Sequence, residues 1–340
     1  MIMAVMPAIA PVNTVDHRPF WSVMIPCYNS AAWLSRTIQS VLEQDPGPDA
    51  MQIEVVDDGS TDDDPAAVVE QLGAGRVKFF RQPRNVGPPA NFTTCVRRAR
   101  GKWVHILHSD DVVRPGFYRR YGERIEACPN ASMICAQTIT VDPAERYLGV
   151  TPPVTVDDGF VRDPAFTIAT THPLAAASVV VCRDAYEALG GFHPALAHTN
   201  DWEMWTRIAC SGQVAWVDEP LALYRSHADS DSSRVHRSTA YLDECLRAVE
   251  VIAGHFASEE RRGLVRRGAR HAVSGYATAV GLELVSQHHR RLAVANAVRA
   301  VRIDRSIHTW SRASEIAGLA LVSFARDRLS FSARRSSPAP

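Results

Sequence analysis

Long hydrophobic runs and regularly spaced cysteines are both missing from this 340-residue sequence. No run approaches the ~18 apolar residues that a membrane-spanning helix needs. The seven cysteines show no CxxC or Cys/His spacing, which argues against a disulfide framework and against a zinc site. We therefore expect free thiols in a cytoplasmic protein. Residues 1–20 lack a basic start and contain Pro7 and Pro11, so we predict a flexible extension rather than a signal peptide.

Glycine-rich phosphate-binding loops are absent as well. Neither GxGxxG nor GxxxxGK(S/T) occurs, which argues against a dinucleotide site and against a P-loop. There is no low-complexity tract, and 46% apolar with 8% aromatic residues predicts a folded globular chain. A diphosphate ligand would then need a metal ion in place of the missing loop.

The formal net charge of zero conceals an uneven distribution of 37 basic and 37 acidic residues. Residues 261–340 contain fifteen arginines, no lysine and four acidic residues, a local charge of +11. The first 260 residues therefore carry −11. Within the basic region, residues 316–331 mix apolar side chains with Arg326 and Arg328 and follow Arg312. We predict that this region binds peripherally to the anionic surface on the inner face of the membrane. The alternative is a basic helical face that is simply exposed to solvent.

Strand and helix patterns alternate in the first half of the chain. Apolar runs at 23–26, 52–56, 77–80 and 103–107 predict strands, and helical periodicity fills the segments between them. This order predicts βαβ units and therefore an α/β fold with a mostly parallel sheet. Runs without polar alternation are typical of strands that are buried on both faces.

Two folded regions follow from the change of pattern along the chain. No Gly/Ser-rich linker interrupts residues 21–235, which we treat as one domain. From about Tyr241 the strand signals stop, and an apolar helical face predicts long helices. We therefore predict a helical, basic C-terminal region over residues 236–335.

Three polar segments, at residues 26–29, 57–60 and 109–111, each follow a predicted strand. Open α/β sheets place their ligands at the carboxyl ends of the strands, so these segments should meet at one edge. Turn formation alone would explain any single one of them. However, the adjacent carboxylates of Asp110 and Asp111 would repel each other unless a cation or hydrogen-bond donors neutralise them. Oxygen ligands of this kind suit Mg²⁺ or Mn²⁺.

Taken in order, six segments resemble the signatures of glycosyltransferase family 2, whose members are inverting enzymes. The resemblance covers about residues 20–235 and implies the GT-A fold, a Rossmann-like, mostly parallel sheet flanked by helices. The six segments are VMIPCYN at 23–29, VVDDGSTD at 55–62, GKWVHILHSDD at 101–111, GGF at 190–192, NDWEMWTR at 200–207 and YRSH at 224–227.

The resemblance also implies which residues bind the nucleotide of a nucleoside-diphosphate sugar. Pro26 and Tyr28 would line the base, and Asp58 would read its edge. Arg84 and Asn85 occupy the place where family members approach the nucleotide or its phosphates.

A divalent cation, Mn²⁺ or Mg²⁺, is the cofactor that the resemblance implies. Asp110 would contact the ribose, Asp111 would hold the metal, and His227 would complete the metal or diphosphate shell. Asp201 takes the place of the catalytic base. A carboxylate in the first turn of a helix stays ionised because the helix dipole favours its charge. Glu203 is the rival base, but two residues along a helix turn it by roughly 200°, so both cannot face one ligand.

The residues around Asp201 allow two interpretations. Asn200 is predicted as the N-cap of the helix. Trp202 and Trp205 lie three residues apart and should share a face, which indicates either apolar packing or stacking against a sugar ring. Among the histidines, His108 stands close to the acidic pair and has a possible role there, although its spacing is not that of a metal ligand.

We predict an inverting, metal-assisted glycosyltransferase that moves a sugar, with a UDP-sugar as the favoured donor, to a glycan or lipid-linked acceptor. A degenerate sugar-nucleotide-binding or scaffold protein is the non-enzymatic alternative, against which the intact set of acids argues. A nucleotidyltransferase would show a glycine-rich, basic loop after the first strand, and this chain does not. No nucleic-acid partner is expected, because the basic region lacks interleaved aromatic residues.

Overall fold

The computed structural model describes residues 5–12 and 18–335, with residues 325–335 described by their backbone alone. The chain divides into two compact units, Met1–His227 and Ala228–Pro340. The predicted boundaries at 21–235 and 236–335 stay a prediction.

The first unit contains eleven strands and seven α-helices within the described residues. They are β1 (Trp21–Cys27), α1 (Ala31–Leu42), β2 (Met51–Asp57), α2 (Pro65–Gly73), β3 (Lys78–Arg81), α3 (Pro88–Arg98), β4 (Trp103–Ile106), β5 (Val112–Val113), α4 (Phe117–Ala127), β6 (Ala131–Val141), β7 (Tyr147–Val150), β8 (Val156–Asp157), β9 (Phe160–Val161), α5 (Pro164–Thr171), β10 (Val179–Cys182), α6 (Arg183–Leu189), α7 (Asn200–Ser211) and β11 (Gln213–Arg225).

One sheet joins these strands in the order β3-β2-β1-β4-β10-β6-β11-β9-β8, with β5 also paired to β11 and β7 to β6. The first four strands along the chain are parallel to one another, as the alternation of strands and helices predicts. β10 is antiparallel to both of its neighbours, and β11 returns parallel to β6. The predicted α/β fold with a Rossmann-like sheet and flanking helices is confirmed.

The core forms because the central strands are apolar on both faces while the helices are apolar on one. Every residue of β1 and β2 is buried. In α1, Leu34, Ile38 and Val41 recur at the helical period and bury one face against the sheet. Asp64 begins α2 as an N-cap whose side chain accepts hydrogen bonds from two backbone N–H groups of the first turn.

Part of the N-terminal segment that was predicted to be loose lies against the body of the first unit. Ile9 is buried, and the carbonyl oxygen of Pro7 accepts a 2.7 Å hydrogen bond from Gly191 N. The Arg183 guanidinium donates to Ala10 O over 3.0 Å. Residues 7–10 therefore cover a surface beside α6.

The second unit is helical throughout its described residues. It consists of α8 (Asp231–Val235), α9 (Tyr241–Gly254), α10 (Glu259–Ser286), α11 (Arg290–Ile303) and α12 (Ile307–Arg335). The apolar face predicted from Tyr241 onward is buried along α9, and Tyr241 Oη donates to Asn296 Oδ1 of α11 over 2.7 Å. Among the described residues, no helix is both long and apolar enough to cross a membrane.

Candidate active site

The three polar segments meet at one edge of the sheet, as predicted. Cys27 at the end of β1 is in register with Asp57 at the end of β2, and Met24 of β1 with Ile106 of β4. Asp58 N donates to Cys27 O over 2.8 Å immediately beyond the strands. Parallel register therefore brings the loops after β1, β2 and β4 together.

Asn29 joins the first loop to the second. Its side-chain oxygen accepts a 2.9 Å hydrogen bond from Thr61 N, and its amide nitrogen donates to Asp62 Oδ2 over 2.9 Å. Its backbone N–H donates to Ser60 Oγ over 2.8 Å. Asn29 has a φ of 47°, a left-handed conformation that asparagine tolerates better than most residues. Asn29 of the loop after β1 thus fixes the position of the loop after β2 through these hydrogen bonds.

Asp58 is almost fully buried and organises a further loop. One carboxylate oxygen accepts a 2.8 Å hydrogen bond from Val86 N, and the other accepts a 2.9 Å bond from Gly87 N. The next residue, Gly59, has a φ of 74°, and a Cβ there would lie 2.9 Å from the Arg84 carbonyl carbon. Only glycine fits this approach. Asp58 therefore supports the loop that carries Arg84 and Asn85, and its predicted contact with the nucleotide base stays a prediction.

The remaining predicted nucleotide-binding residues surround this edge with different degrees of exposure. Pro26 is buried within β1, and Tyr28 is half-buried just beyond it. Arg84 and Asn85 are exposed, and the Asn85 side chain accepts a 3.0 Å hydrogen bond from Gly87 N. The exposed guanidinium of Arg84 is thus placed on a loop with a fixed backbone.

Helix α1 holds the Ser-Asp-Asp turn that follows β4. The buried hydroxyl of Thr37 lies 2.8 Å from Ser109 O and 2.7 Å from Asp111 O. Ser30 has the predicted N-cap position of α1, but its side chain makes no cap and instead lies 2.6 Å from Ser109 Oγ. These contacts fix the turn from the side of the first helix.

The acidic pair contacts the end of β11. Asp111 is 1% exposed and accepts a 3.0 Å hydrogen bond from Arg225 N. Asp110 is partly exposed, and its Oδ2 lies 3.1 Å from Nε2 of the buried His227. The structure thus brings His227 to Asp110 and Asp111, although His227 lies more than 110 residues after them in the sequence.

The two carboxyl groups differ in their electrostatic environment. Burial and then the neighbouring charge of Asp110 raise the pKa of Asp111 well above its usual range. Burial also opposes ionisation of Asp110, but the hydrogen bond from His227 and the charges of His108 and His227 lower its pKa. Without a cation the pair therefore favours one ionised and one protonated carboxyl group.

His108 joins this cluster, and spacing alone did not indicate it as a ligand. Ligand atoms of His108, Asp110 and Asp111 all lie within 4.8 Å of one another. The imidazole stacks on Phe92 with ring centroids 5.2 Å apart, and its buried Nε2 has no hydrogen-bond partner among the described residues. The available signal was its position two residues before the acidic pair, on the same strand end.

Asp201 and Glu203 have opposite surroundings in α7. The helix begins one residue earlier than predicted, with Thr199 at the N-cap and Asn200 already helical. Asp201 is partly exposed, accepts a 2.7 Å hydrogen bond from Trp202 N and has Nε2 of His172 3.9 Å away. Glu203 is fully buried and forms an ion pair of 2.8 Å with Arg207. Of these two carboxylates, only that of Asp201 is accessible to solvent.

Trp202 and Trp205 both belong to the core. They are 2% and 1% exposed, so the alternative of stacking against a sugar ring is wrong. Trp202 Nε1 donates to Ile168 O over 2.9 Å, and its ring stacks on His172 at 5.2 Å. Trp202 thereby ties α7 to α5.

Residues 22–168, which contain the three strand-end loops and the acidic pair, match the family model described as Glycosyl transferase family 2. This region belongs to glycosyltransferase family 2. The predicted family is thereby confirmed.

Several relatives have similar sequences over parts of their length. Uncharacterized protein MT1568 of Mycobacterium tuberculosis is 28% identical over 230 residues, 64% of this chain and 70% of that protein. The succinoglycan biosynthesis protein ExoO of Rhizobium meliloti is 37% identical over 113 residues, 33% of this chain and 32% of that protein. An Escherichia coli chondroitin synthase is 34% identical over 103 residues, 30% of this chain and 15% of that protein. The chain thus spans most of the first relative but a third or less of the other two.

Solved structures of S. aureus TarS 1–349 share the fold. The complex with UDP-GlcNAc has a TM-score of 0.59 at 16% identity and covers 89% of each chain. The complex with UDP has a TM-score of 0.57 at 16% identity and covers 91% of each chain. The predicted GT-A fold and the prediction of a glycosyltransferase are confirmed, and the scaffold and nucleotidyltransferase alternatives are not supported.

Proposed function

We propose that this family 2 chain is an inverting, metal-assisted transferase that moves a sugar from a nucleoside diphosphate to an acceptor hydroxyl. The observation that carries the proposal is the cluster of His108, Asp110, Asp111 and His227 at the carboxyl edge of the sheet. Ligands of open α/β sheets bind at that edge.

The cluster fits a divalent cation. It offers carboxylate oxygens and imidazole nitrogens, a donor set that suits Mn²⁺ or Mg²⁺. Nε2 of His108 is buried without a hydrogen-bond partner among the described residues, and burial beside Asp110 raises the pKa of Asp111, so a cation there would favour its ionised form. When bound, the cation supplies positive charge that stabilises the departing diphosphate.

The protein's own part in the chemical step falls to Asp201. Transfer with inversion requires a base that takes the proton of the acceptor hydroxyl as its oxygen attacks the anomeric carbon. Asp201 lies in the first turn of α7, where the helix dipole stabilises its negative charge. The hydrogen bond from Trp202 N occupies one of its oxygens and fixes the direction of the other.

A UDP-sugar is the first donor to test. The S. aureus protein with the same fold was crystallised with UDP and with UDP-GlcNAc, which supports this choice. The acceptor we propose is a glycan or a lipid-linked glycan, and the succinoglycan and chondroitin relatives support a saccharide acceptor.

A thermal-shift screen of nucleotide sugars, each with and without Mn²⁺, tests the donor and the metal together. A ligand that binds only the folded protein stabilises it by mass action and so raises Tm. At a ligand concentration of one hundred times Kd, the free energy of unfolding rises by about 2.7 kcal/mol. We expect a UDP-sugar to raise Tm more with Mn²⁺ than without it.

Asp111→Asn is the matched variant for this screen, and it should respond equally with and without the metal. If wild-type Tm shifts show no dependence on Mn²⁺ with any nucleotide sugar, the metal-assisted mechanism is wrong. A metal-dependent shift that Asp111→Asn retains in full removes Asp111 from the site.

We further propose that the outward face of α12 lies on an anionic membrane surface. Its exposed apolar side chains include Ile307, Trp310, Leu321 and Phe324. Ile316, which the sequence groups with Leu321 and Phe324 in the segment 316–331, is instead buried in the helical unit. Leu329 and Phe331 lie outside the described side chains. A face of this composition, with a tryptophan among aliphatic residues, is typical of interfacial helices.

A further inference from the structure

Arg225 is a buried arginine at the last position of β11. It is 3% exposed, whereas arginine is almost never fully buried without partners. Its partners lie on two sides, the Ser-Asp-Asp turn on one and the loop after β6 on the other. The hydrogen bonds from both segments together compensate for the burial of the charged guanidinium.

On the first side, Arg225 contacts both residues of the acidic pair. Its backbone N–H donates to Asp111 Oδ1 over 3.0 Å, and its Nε donates to Asp110 O over 3.0 Å. One contact therefore orients the carboxylate of Asp111, and the other fixes the backbone from which the Asp110 side chain projects.

On the second side, the guanidinium is fixed by the loop between β6 and β7. Its two terminal nitrogens donate to Pro143 O and to Glu145 Oε1, each over 3.0 Å. Glu145 also binds Arg36 Nε of α1 over 3.0 Å. Asp142 stiffens this loop, because its Oδ1 accepts 2.9 Å hydrogen bonds from two backbone N–H groups.

Arg225 also packs beside the residue that supports His227. The Arg225 guanidinium carbon lies 5.1 Å from the centre of the Trp33 ring, and the His227 ring lies 4.7 Å from the same indole. His227 in turn lies 3.1 Å from Asp110. The indole of Trp33 therefore contacts both Arg225 and the histidine of the cluster.

A lysine could not make these contacts. The planar guanidinium presents several N–H donors in fixed directions, while an ammonium group on a flexible stem is a single point of charge. Replacing Arg225 by lysine would keep the charge and the backbone hydrogen bond to Asp111. It would lose the simultaneous contacts with Asp110 O, Pro143 O and Glu145.

We propose that Arg225 is a positioning residue that holds Asp110, Asp111 and His227 in the arrangement that binds a divalent cation, with Glu145 fixing its guanidinium. This proposal rests on the proposed metal-assisted function. It assigns a role to Glu145, a residue far from the family motifs in the sequence. Partners that orient metal ligands typically contribute 10–100-fold to metal affinity.

The test compares Arg225→Lys with a matched control, Arg183→Lys. Arg183 is equally buried and also binds carbonyl oxygens and a glutamate, but its partners are Val96, Ala10 and Glu187. Calorimetric titration of Mn²⁺ into the full chain with saturating UDP measures affinity without any turnover. We expect Arg225→Lys to weaken Mn²⁺ binding about 10–100-fold. Arg183→Lys should stay within about twofold of the wild type while losing a comparable amount of Tm.

Glu145→Gln keeps the side-chain volume and provides a second variant that should fold. It should weaken Mn²⁺ binding in the same direction by a smaller factor, because a neutral amide holds the guanidinium less firmly. Wild-type affinity in both Arg225→Lys and Glu145→Gln would overturn the positioning role, as would equal losses in the two lysine variants. If the wild type itself binds no Mn²⁺ with UDP, the metal-assisted function is wrong and this proposal falls with it.

Discussion

The two units of this protein differ in whether their clustered charges are paired with opposite charges. In the helical unit, two basic residues of α10 have acidic partners: Arg266 pairs with both Glu250 and Glu259, and Arg270 pairs with Glu250. In the catalytic unit two adjacent acids, Asp110 and Asp111, are kept side by side and one of them is buried. Part of the basic charge that the sequence offers as a binding surface is thus paired with acidic residues, whereas the two acids of the turn after β4 stay adjacent and one of them is buried.

This difference indicates which of the two charged regions requires a bound ligand to balance its charge. A surface ion pair contributes little and needs no further partner. A buried pair of like charges is costly, and such an arrangement persists where a bound group compensates it. The acidic pair therefore points to a ligand more strongly than the +11 charge of the C-terminal region does.

The largest expected effect is on kcat, and it distinguishes Asp201 from Glu203, the two acidic residues in the first turn of α7. Asp201→Asn removes the charge and basicity of the proposed base, so kcat should fall by roughly 10²–10⁴-fold with donor affinity nearly unchanged. Steady-state kinetics with one competent acceptor and calorimetry with UDP measure the two quantities.

Glu203→Gln serves as its counterpart. Breaking its buried pair with Arg207 should cost about 3–5 kcal/mol in the free energy of unfolding, because it weakens the partner of a buried guanidinium. Its kcat, measured below the lowered Tm, should change far less than that of Asp201→Asn. A nearly active Asp201→Asn beside an inactive but folded Glu203→Gln would show that the wrong carboxylate was chosen.

A smaller effect tests the outward face of α12. Trp310→Ser combined with Leu321→Ser should weaken sedimentation with anionic phosphatidylserine vesicles by about tenfold, equivalent to ~1.4 kcal/mol of lost apolar burial. Because Ile316 is part of the core, these two substitutions are a cleaner test than truncation of the helix.

Val294→Ser combined with Val298→Ser is the control for this experiment. These two valines are exposed on α11, so the variant removes apolar surface elsewhere in the same unit. Unchanged vesicle binding by the α12 variant, or an equal loss in the control, would contradict a specific membrane contact of α12.

The smallest expected effect is on the stability of the metal-free protein. The folded-state pKa of Asp111 is raised above the unfolded value of about 3.9, so this group makes the fold less stable as the pH rises from about 4 toward the raised pKa. Asp111→Asn removes that penalty while its amide oxygen can still accept from Arg225 N.

In a buffer with a chelator, Asp111→Asn should therefore melt higher than the wild type at pH 8. A gain of ~1 kcal/mol corresponds to roughly 2–4 °C. The difference in Tm should shrink as the pH is lowered toward 5. A variant that melts lower than the wild type at pH 8 would mean that Asp111 stabilises the fold without metal.

The sequence predicted the sheet edge because its signals are local. Each apolar run that forms a strand is followed directly by its polar loop, and parallel register then brings Asp58 to the loop of Cys27 and the turn of Asp110 beside them. The acidic pair could be recognised for the same reason. These features need no knowledge of long-range contacts beyond the parallel sheet.

What could not be predicted depends on contacts between distant segments. Arg225 and Glu145 are 80 residues apart, and they meet because β11 pairs with β6 as far as Arg225 and Val141, beyond an irregularity between Val217 and Ala222. Glu250, which pairs with Arg266 and Arg270, lies on α9, and Glu259 lies about two helical turns before Arg266 on α10. Periodicity indicates which face of a helix is apolar or basic, but not which residues of another element cover it.

The N-terminal segment that covers α6 has a practical consequence for protein engineering. A variant that starts at residue 18 would leave the Arg183 guanidinium without its contact to Ala10 O and would remove Ile9 from the core. The deletion loses the burial of an isoleucine side chain, which contributes about 1.5–3 kcal/mol, and a hydrogen bond that contributes about 1 kcal/mol. Affinity tags should therefore be placed ahead of residues 7–10, because trimming the chain back to β1 would destabilise the fold.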